Sequence, residues 1–183
     1  MSINKDMVRK SKFLSKVLRH QPSAAHVELD DNGWVSIKDL IAGAAKVHVI
    51  LDKDIIDEIV ETNNKKRFTY NDDETKIRAN QGHSIKVDVE LEKTLPPETL
   101  YHGTANRFVD SIMKEGIKPR NRNHVHLSAD DATATDVGKR HGKPAVLYVD
   151  SKRMSDDGLS FYLSKNGVWL TEYVATQYIT RIQ

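Results

Sequence analysis

"ELEKTLPPETL", residues 90–100, decides how this chain is organised. Pro96 and Pro97 cannot continue a helix, and each pushes the residue before it toward extended backbone. Charged sequence runs into the pair from one side, and the apolar, strand-like "TLYHGT" (99–104) leaves on the other. We place a boundary here, with one lobe over 1–92 and a second over 98–183.

Upstream of the boundary the hydrophobic period is helical. Val8, Phe13, Leu14, Val17 and Leu18 recur at helical spacing between Lys5 and His20, with Lys10, Lys12, Lys16 and Arg19 marking a basic side. "DDNGWVS" (30–36) reads as a turn leading into a short extended piece. Ser36 then caps a second helix, "IKDLIAGAAK" (37–46). A third helix follows over "DKDIIDEIVETN" (52–63), with Ile55, Ile56, Ile59 and Val60 on one face. The alternating runs "RFTYN" (67–71) and "KIRAN" (76–80) flank "DDET" and predict a β-hairpin. Three helices followed by a hairpin predict a winged-helix lobe, a shape common among DNA-binding proteins that does not by itself fix function.

Downstream the pattern turns to short strands: "TLYHGT", "HVHLS" (124–128), "AVLYVD" (145–150) and "QYITRI" (177–182). "NRFVDSIMKEG" (106–116) reads as a helix stopped by Gly116, and "DDATATDVGKRHG" (130–142) as another. "FYLSKNGVWLTEYV" (161–174) is a hairpin with an Asn166-Gly167 turn. The fold class expected is α+β, the second lobe being built on antiparallel sheets. There is no internal repeat.

Composition narrows the options. A chain of 183 residues, 38% hydrophobic and 30% charged, suits one large domain or two small ones. A net charge of +2 neither demands nor excludes nucleic acid, so local clustering matters more. With no cysteine, there is no disulfide framework, thiolate metal site or cysteine nucleophile. The polar start, "MSINKDMVRKSK", has no apolar signal core, and the longest apolar runs fall short of a membrane span. A cytoplasmic monomer is expected.

Basic and histidine residues gather in "LRHQ" (18–21), "KKRF" (65–68), "IRANQGHS" (77–84) and "RNRNHVHLS" (120–128). Arginine's planar fork suits phosphate oxygens, and several arginines together make an anion site. The plainer alternative is a solvated basic face. In "LRHQ" the cations also suit the negative end of a helix macrodipole. His124 and His126, two apart on a strand, point to one face and could share a metal, with a third ligand from His102, His141 or a carboxylate. No other ligand spacing is visible, and no metal is expected. In "YHGT", Gly103 either permits a tight turn or lets a ligand approach the backbone between His102 and Thr104. There is no G-x-G-x-x-G and no P-loop, so a dinucleotide would have to be bound in another way.

Taken in order, "SKFLSKVLRHQP", "GWVSIKDLI", "NNKKRF", "IRANQGHS", "LYHGT", "RNRNHVHLS" and "GKRHGKPAVLYVD" resemble the RNA 2′-phosphotransferase family, over nearly the whole chain. The resemblance implies a winged-helix RNA-binding lobe and an ADP-ribosyltransferase-like NAD-binding lobe. It implies removal of an internal, splice-junction 2′-phosphate from a tRNA-like RNA by transfer to NAD⁺, through a 2′-phospho-ADP-ribosylated RNA. The products would be RNA with a 2′-hydroxyl, ADP-ribose 1″,2″-cyclic phosphate and nicotinamide, with no metal. By motif, the catalytic set maps to Arg19, His20, Arg67 and Arg122, with Arg120 as the competitor for the last place. The NAD site maps to His102, Gly103, Thr104, His126 and Ser128. Lys65, Arg78, Gln81, His83 and Ser84 are expected to bind the RNA. The glutamate that ends the signature of protein-modifying relatives has no clear counterpart; Glu172 offers itself only by proximity. Two other functions are weighed beside this one: ADP-ribosylation of terminal phosphates of nucleic acid, and non-enzymatic nucleic-acid binding by the winged helix.

Overall fold

The computed structural model describes residues 4–181, and the chain forms two compact units, Met1–Glu90 and Leu91–Gln183. In the first, helix α1 (Lys5–Arg19) is N-capped by the Asn4 side chain, which accepts from the Asp6 amide at 3.1 Å. Its apolar stripe buries Leu14, Val17 and Leu18. Lys10 is buried with them along its stem, and its Nζ reaches Asp6 at 2.8 Å. Strand β1 (Val35–Ser36) runs into α2 (Ile37–Lys46), capped by Ser36 as its sequence predicts. Asp52 caps α3 (Lys53–Thr62), which buries Ile56 and Ile59.

Strands β2 (Phe68–Tyr70) and β3 (Lys76–Ala79) form the hairpin. The short extended piece is a third strand of the same sheet: β1 pairs antiparallel with β3, giving the order β1-β3-β2. The three helices and this sheet enclose one core, with Leu14, Leu18, Leu40, Ile56 and Ile77 fully buried.

The second unit has two three-stranded antiparallel sheets. One contains β4 (Leu100–Ala105), paired along its whole length with β6 (Pro144–Val149), which pairs in turn with β9 (Ile179–Arg181). The other contains β5 (Val125–Leu127), β7 (Tyr162–Leu163) and β8 (Trp169–Thr171), in the order β5-β8-β7. Reciprocal backbone bonds between Tyr101 and Ser128 join the sheets, at 2.8 and 2.9 Å.

Helices α4 (Val109–Glu115) and α5 (Asp131–Lys139) lie where the sequence puts them. A further helix, α6 (Ser151–Asp156), follows β6. Its six residues are too few to show a period. Asp150, which reads as the end of a strand, is its N-cap, accepting from the Arg153 amide at 3.0 Å. Among the described residues, no helix is long and apolar enough to cross a membrane.

Candidate functional site

In the first lobe, Arg19 is the last residue of α1 and His20 is its C-cap. The segment Gln81–Ser84, which follows β3, holds both. Arg19 Nη2 donates to Gln81 Oε1 at 3.0 Å, and the Arg19 carbonyl accepts from the Ser84 amide at 2.9 Å. His20 Nδ1 lies 2.9 Å from Ser84 Oγ. Gly82 has φ +85°, and a Cβ there would sit 3.5 Å from Arg19 Cζ. A glycine thus lets the segment turn and lie against the guanidinium.

Arg67 is reached from the same strand end. The Asn80 amide donates to the Arg67 carbonyl at 2.8 Å, and Asn80 Nδ2 donates to the Lys66 carbonyl at 2.6 Å. Asn63 completes the loop, taking the Lys65 amide on Oδ1 and the Lys66 amide on its carbonyl. Lys66 adopts the left-handed φ of 40° that this tight path needs. Two consecutive residues, Asn80 and Gln81, therefore fix the Arg67 loop and the Arg19 side chain. The structure brings Arg19, His20 and Arg67 of the expected set to one end of the hairpin. Lys65 is exposed on the same loop.

Two expected RNA contacts lie inside the lobe instead. Arg78 is 7% exposed: its guanidinium stacks over Trp34 at 4.3 Å, and Nη1 donates to the Asn32 carbonyl and to Glu90 Oε2. His83 is 3% exposed, and its Nε2 has no hydrogen-bond partner among the described residues. Burial, with the nearby charges of Arg19, His20 and Arg78, pushes its pKa down to about 4. Both side chains work on the fold from within, because a basic strand end with one buried face reads in sequence like a basic surface.

The second lobe encloses a cavity of about 430 Å³, within the range of small-ligand sites. His102, Thr104, Phe108, Arg120, Arg122 and His126 all line it. The Gly103 backbone lines it too, and the glycine there has a packing reason that neither sequence reading named. The residue sits mid-strand in β4, and a Cβ would fall 1.8 Å from the Ala134 carbonyl oxygen of α5. One turn further along α5, a Cβ on Gly138 would fall 2.6 Å from the Thr104 carbonyl oxygen. The helix lies against the strand at backbone distance, and this contact shapes the cavity wall.

Hydrogen bonds define the imidazoles. His102 Nδ1 is 3.2 Å from the His126 carbonyl, which can only accept, so Nδ1 carries the proton and Nε2 a lone pair. Burial pushes the His102 pKa down against the pull of that carbonyl, and Arg120 and His141 add to the depression. Arg122 Nη1 is 3.0 Å from His126 Nδ1. A guanidinium only donates, so His126 is neutral and accepts on Nδ1. Arg120, in the left-handed region at φ 55°, stacks over Phe108 at 5.1 Å, and Arg107 stacks over the same ring at 4.7 Å. Of the two competing arginines, Arg122 is the one tied to a histidine of the cavity. Ser128 contributes its backbone bridge to Tyr101 and is not among the lining residues.

His124 and His126 both line the cavity. Among the described residues, no group of three or more His, Asp or Glu side chains is placed to hold a metal ion. Phe108, to which the sequence assigns no role, and His141, weighed there only as a third metal ligand, also line the cavity; nothing in the spacing of "GKRHG" points to a pocket.

The family described as RNA 2'-phosphotransferase, Tpt1 / KptA family, matches residues 5–173. This chain belongs to that family. The match runs through both lobes, so neither the hairpin site nor the cavity accounts for it alone. A relative from Flavobacterium johnsoniae is 53% identical over 169 residues, 92% of this chain and 93% of its own length. One from Acaryochloris marina is 51% identical over 173 residues, 94% and 96% of the two chains. One from Rhodopirellula baltica is 51% identical over 181 residues, 98% of each. All three carry the name "Probable RNA 2'-phosphotransferase". Every motif that suggests an RNA 2′-phosphotransferase, from "SKFLSKVLRHQP" to "GKRHGKPAVLYVD", lies within the matched span.

Proposed function

We propose that this RNA 2′-phosphotransferase takes an internal 2′-phosphate from RNA, of the kind left at a splice junction, and transfers it to NAD⁺. Nicotinamide, ADP-ribose 1″,2″-cyclic phosphate and RNA with a 2′-hydroxyl are the products. We read the first lobe as a winged helix that carries the RNA and the second as an ADP-ribosyltransferase-like lobe that carries NAD⁺. The observation that supports this best is the donor set of the cavity. Arg120 and Arg122 offer forked cations for a diphosphate, and the His102 Nε2 lone pair offers an acceptor for a ribose hydroxyl. That chemistry fits a dinucleotide.

NAD⁺ supplies an electrophilic ribose carbon with nicotinamide as leaving group. The phosphate dianion is already a nucleophile, so the chain need only orient it, and no carboxylate base is called for. Arg19, Arg67 and Arg122 are the fixed cations for the second step, in which charge develops on the equatorial phosphoryl oxygens. His20 serves at the departing RNA oxygen.

The test is incubation with NAD⁺ and a short RNA bearing one internal 2′-phosphate. Loss of the phosphate with stoichiometric nicotinamide and cyclic phosphate is expected. Retention of the phosphate with background nicotinamide would refute the reading. A stable ADP-ribose adduct on a terminal phosphate would favour the end-modifying alternative, and NAD⁺-independent duplex binding without turnover would favour the binding module.

A further inference from the structure

Ser84 is expected from sequence to touch RNA. It is 64 positions from His20 and meets the Arg19–His20 pair twice, through its amide to the Arg19 carbonyl and through its hydroxyl to the His20 ring. Those two contacts bracket a single peptide unit. Gln81, three residues earlier, holds the Arg19 guanidinium. Within the segment His83 is turned inward, 3% exposed and uncharged at neutral pH. "QGHS" is thus a clasp on the end of α1. A hydroxyl at Nδ1 fixes the rotation of an imidazole and can pair with either tautomer, but toward an imidazolium it can only accept the Nδ1–H.

We infer that Ser84 is a positioning residue for His20: its Oγ accepts the Nδ1–H and holds that proton on Nδ1, so that Nε2 exchanges the proton with substrate. The inference rests on the function proposed above and on His20 acting at the departing oxygen. In the second step the bond from phosphorus to the RNA 2′-oxygen breaks as the bond to the ribose 2″-oxygen forms. The departing oxygen takes the Nε2 proton, and His20 passes from cation to neutral imidazole with Nδ1–H still on Ser84. The attacking hydroxyl gives its proton to solvent, and solvent recharges Nε2, so protons balance over the turnover.

Nitrogen-resolved NMR of the His20 ring in the full chain tests this apart from activity. The wild type should show the neutral ring as the Nδ1–H tautomer. Ser84→Ala should shift it toward Nε2–H, and Ser84→Thr should restore it. In kinetics, Ser84→Ala should lower kcat about tenfold, a part of what an acid contributes, with KM for RNA and NAD⁺ unchanged and rescue by Ser84→Thr. A wild-type ring protonated on Nε2, or a tautomer that ignores Ser84→Ala, overturns the inference. So does a rise in KM for RNA at constant kcat, which would make Ser84 a substrate contact. A protein that transfers no phosphate would defeat the proposed function, while the NMR result would still decide the role of Ser84.

Discussion

The two lobes make their sites from different materials. In the first, side chains are held by side chains and loop backbone: Gln81 on Arg19, Ser84 on His20, and Asn80 on the Arg67 loop. In the second, the cavity wall is set by backbone against backbone, where β4 and α5 touch at Gly103 and Gly138. A hydrogen-bonded hook can lose one contact and keep its shape, whereas a wall without side chains between its layers cannot take in even a methyl group.

The same substitution in each lobe tests this difference most strongly. In Gly103→Ala the new Cβ meets the Ala134 carbonyl oxygen at 1.8 Å and its carbon at 2.7 Å, and neither can swing aside. We expect a loss of about 3 kcal/mol or more in denaturant unfolding, with ADP-ribose binding abolished. In Gly82→Ala the nearest atoms belong to the movable Arg19 side chain at 3.5 Å, and only the positive φ opposes the change. A cost of about 1 kcal/mol is expected there. Equal costs would erase the contrast.

Arg67→Ala and Arg122→Ala compare the two cationic groups. Each should reduce turnover about 10²- to 10³-fold by removing a fixed cation from phosphoryl transfer, and 2′-phospho-ADP-ribosylated RNA should accumulate. Only Arg122→Ala also releases His126 Nδ1, so only it should weaken ADP-ribose binding in calorimetry. Product analysis by mass, set beside the Kd values, separates the effects. Full turnover in either variant would remove that arginine from the phosphate site.

His83 gives the first lobe a pH dependence of its own. Its folded pKa of about 4 lies below the 6.5 of an unperturbed histidine, so the unfolded state binds more protons between those values. The contribution to stability is therefore complete above pH 6.5 and is lost as pH falls toward 4. The difference amounts to about 3 kcal/mol. Asp6 and Asp57, held low by hydrogen bonds from Lys10 and from Lys53 and Tyr70, add losses of the same sign at lower pH. His83→Leu should flatten the slope between pH 6.5 and 4 in unfolding measurements. An unchanged slope would show that His83 titrates normally in the folded chain.

What could be read from the sequence follows the same division. Caps and periods are local, so Ser36 and the apolar faces of α1 and α3 announce their helices, and "KNG" announces the β7–β8 turn. The hook was partly readable, because arginine and histidine types at helix and strand ends suggest an anion site. What escaped was non-local. That Arg78 faces inward depends on Trp34, Asn32 and Glu90, which lie 12 to 46 positions away. The role of Gly103 depends on a helix about thirty residues later, and no local pattern distinguishes a glycine needed for close packing from one needed for a turn or a ligand.

The smallest effect expected separates a structural arginine from the ones proposed to serve the reaction. Arg78 has a 9% exposed side chain, whereas its partner Glu90 is 61% exposed and linked at 3.1 Å. Removing the exposed charge in Glu90→Gln should cost no more than about 0.5 kcal/mol, because solvent screens the pair. Arg78→Lys keeps the charge but gives up the planar stack on Trp34 and the fork that reaches Asn32, and should cost about 1 to 2 kcal/mol. Neither change should make adduct RNA accumulate, in contrast to Arg67→Ala. Accumulation in Arg78→Lys would return Arg78 to the phosphate site, and the division between arginines that hold the lobe and arginines that serve the reaction would have to be drawn elsewhere.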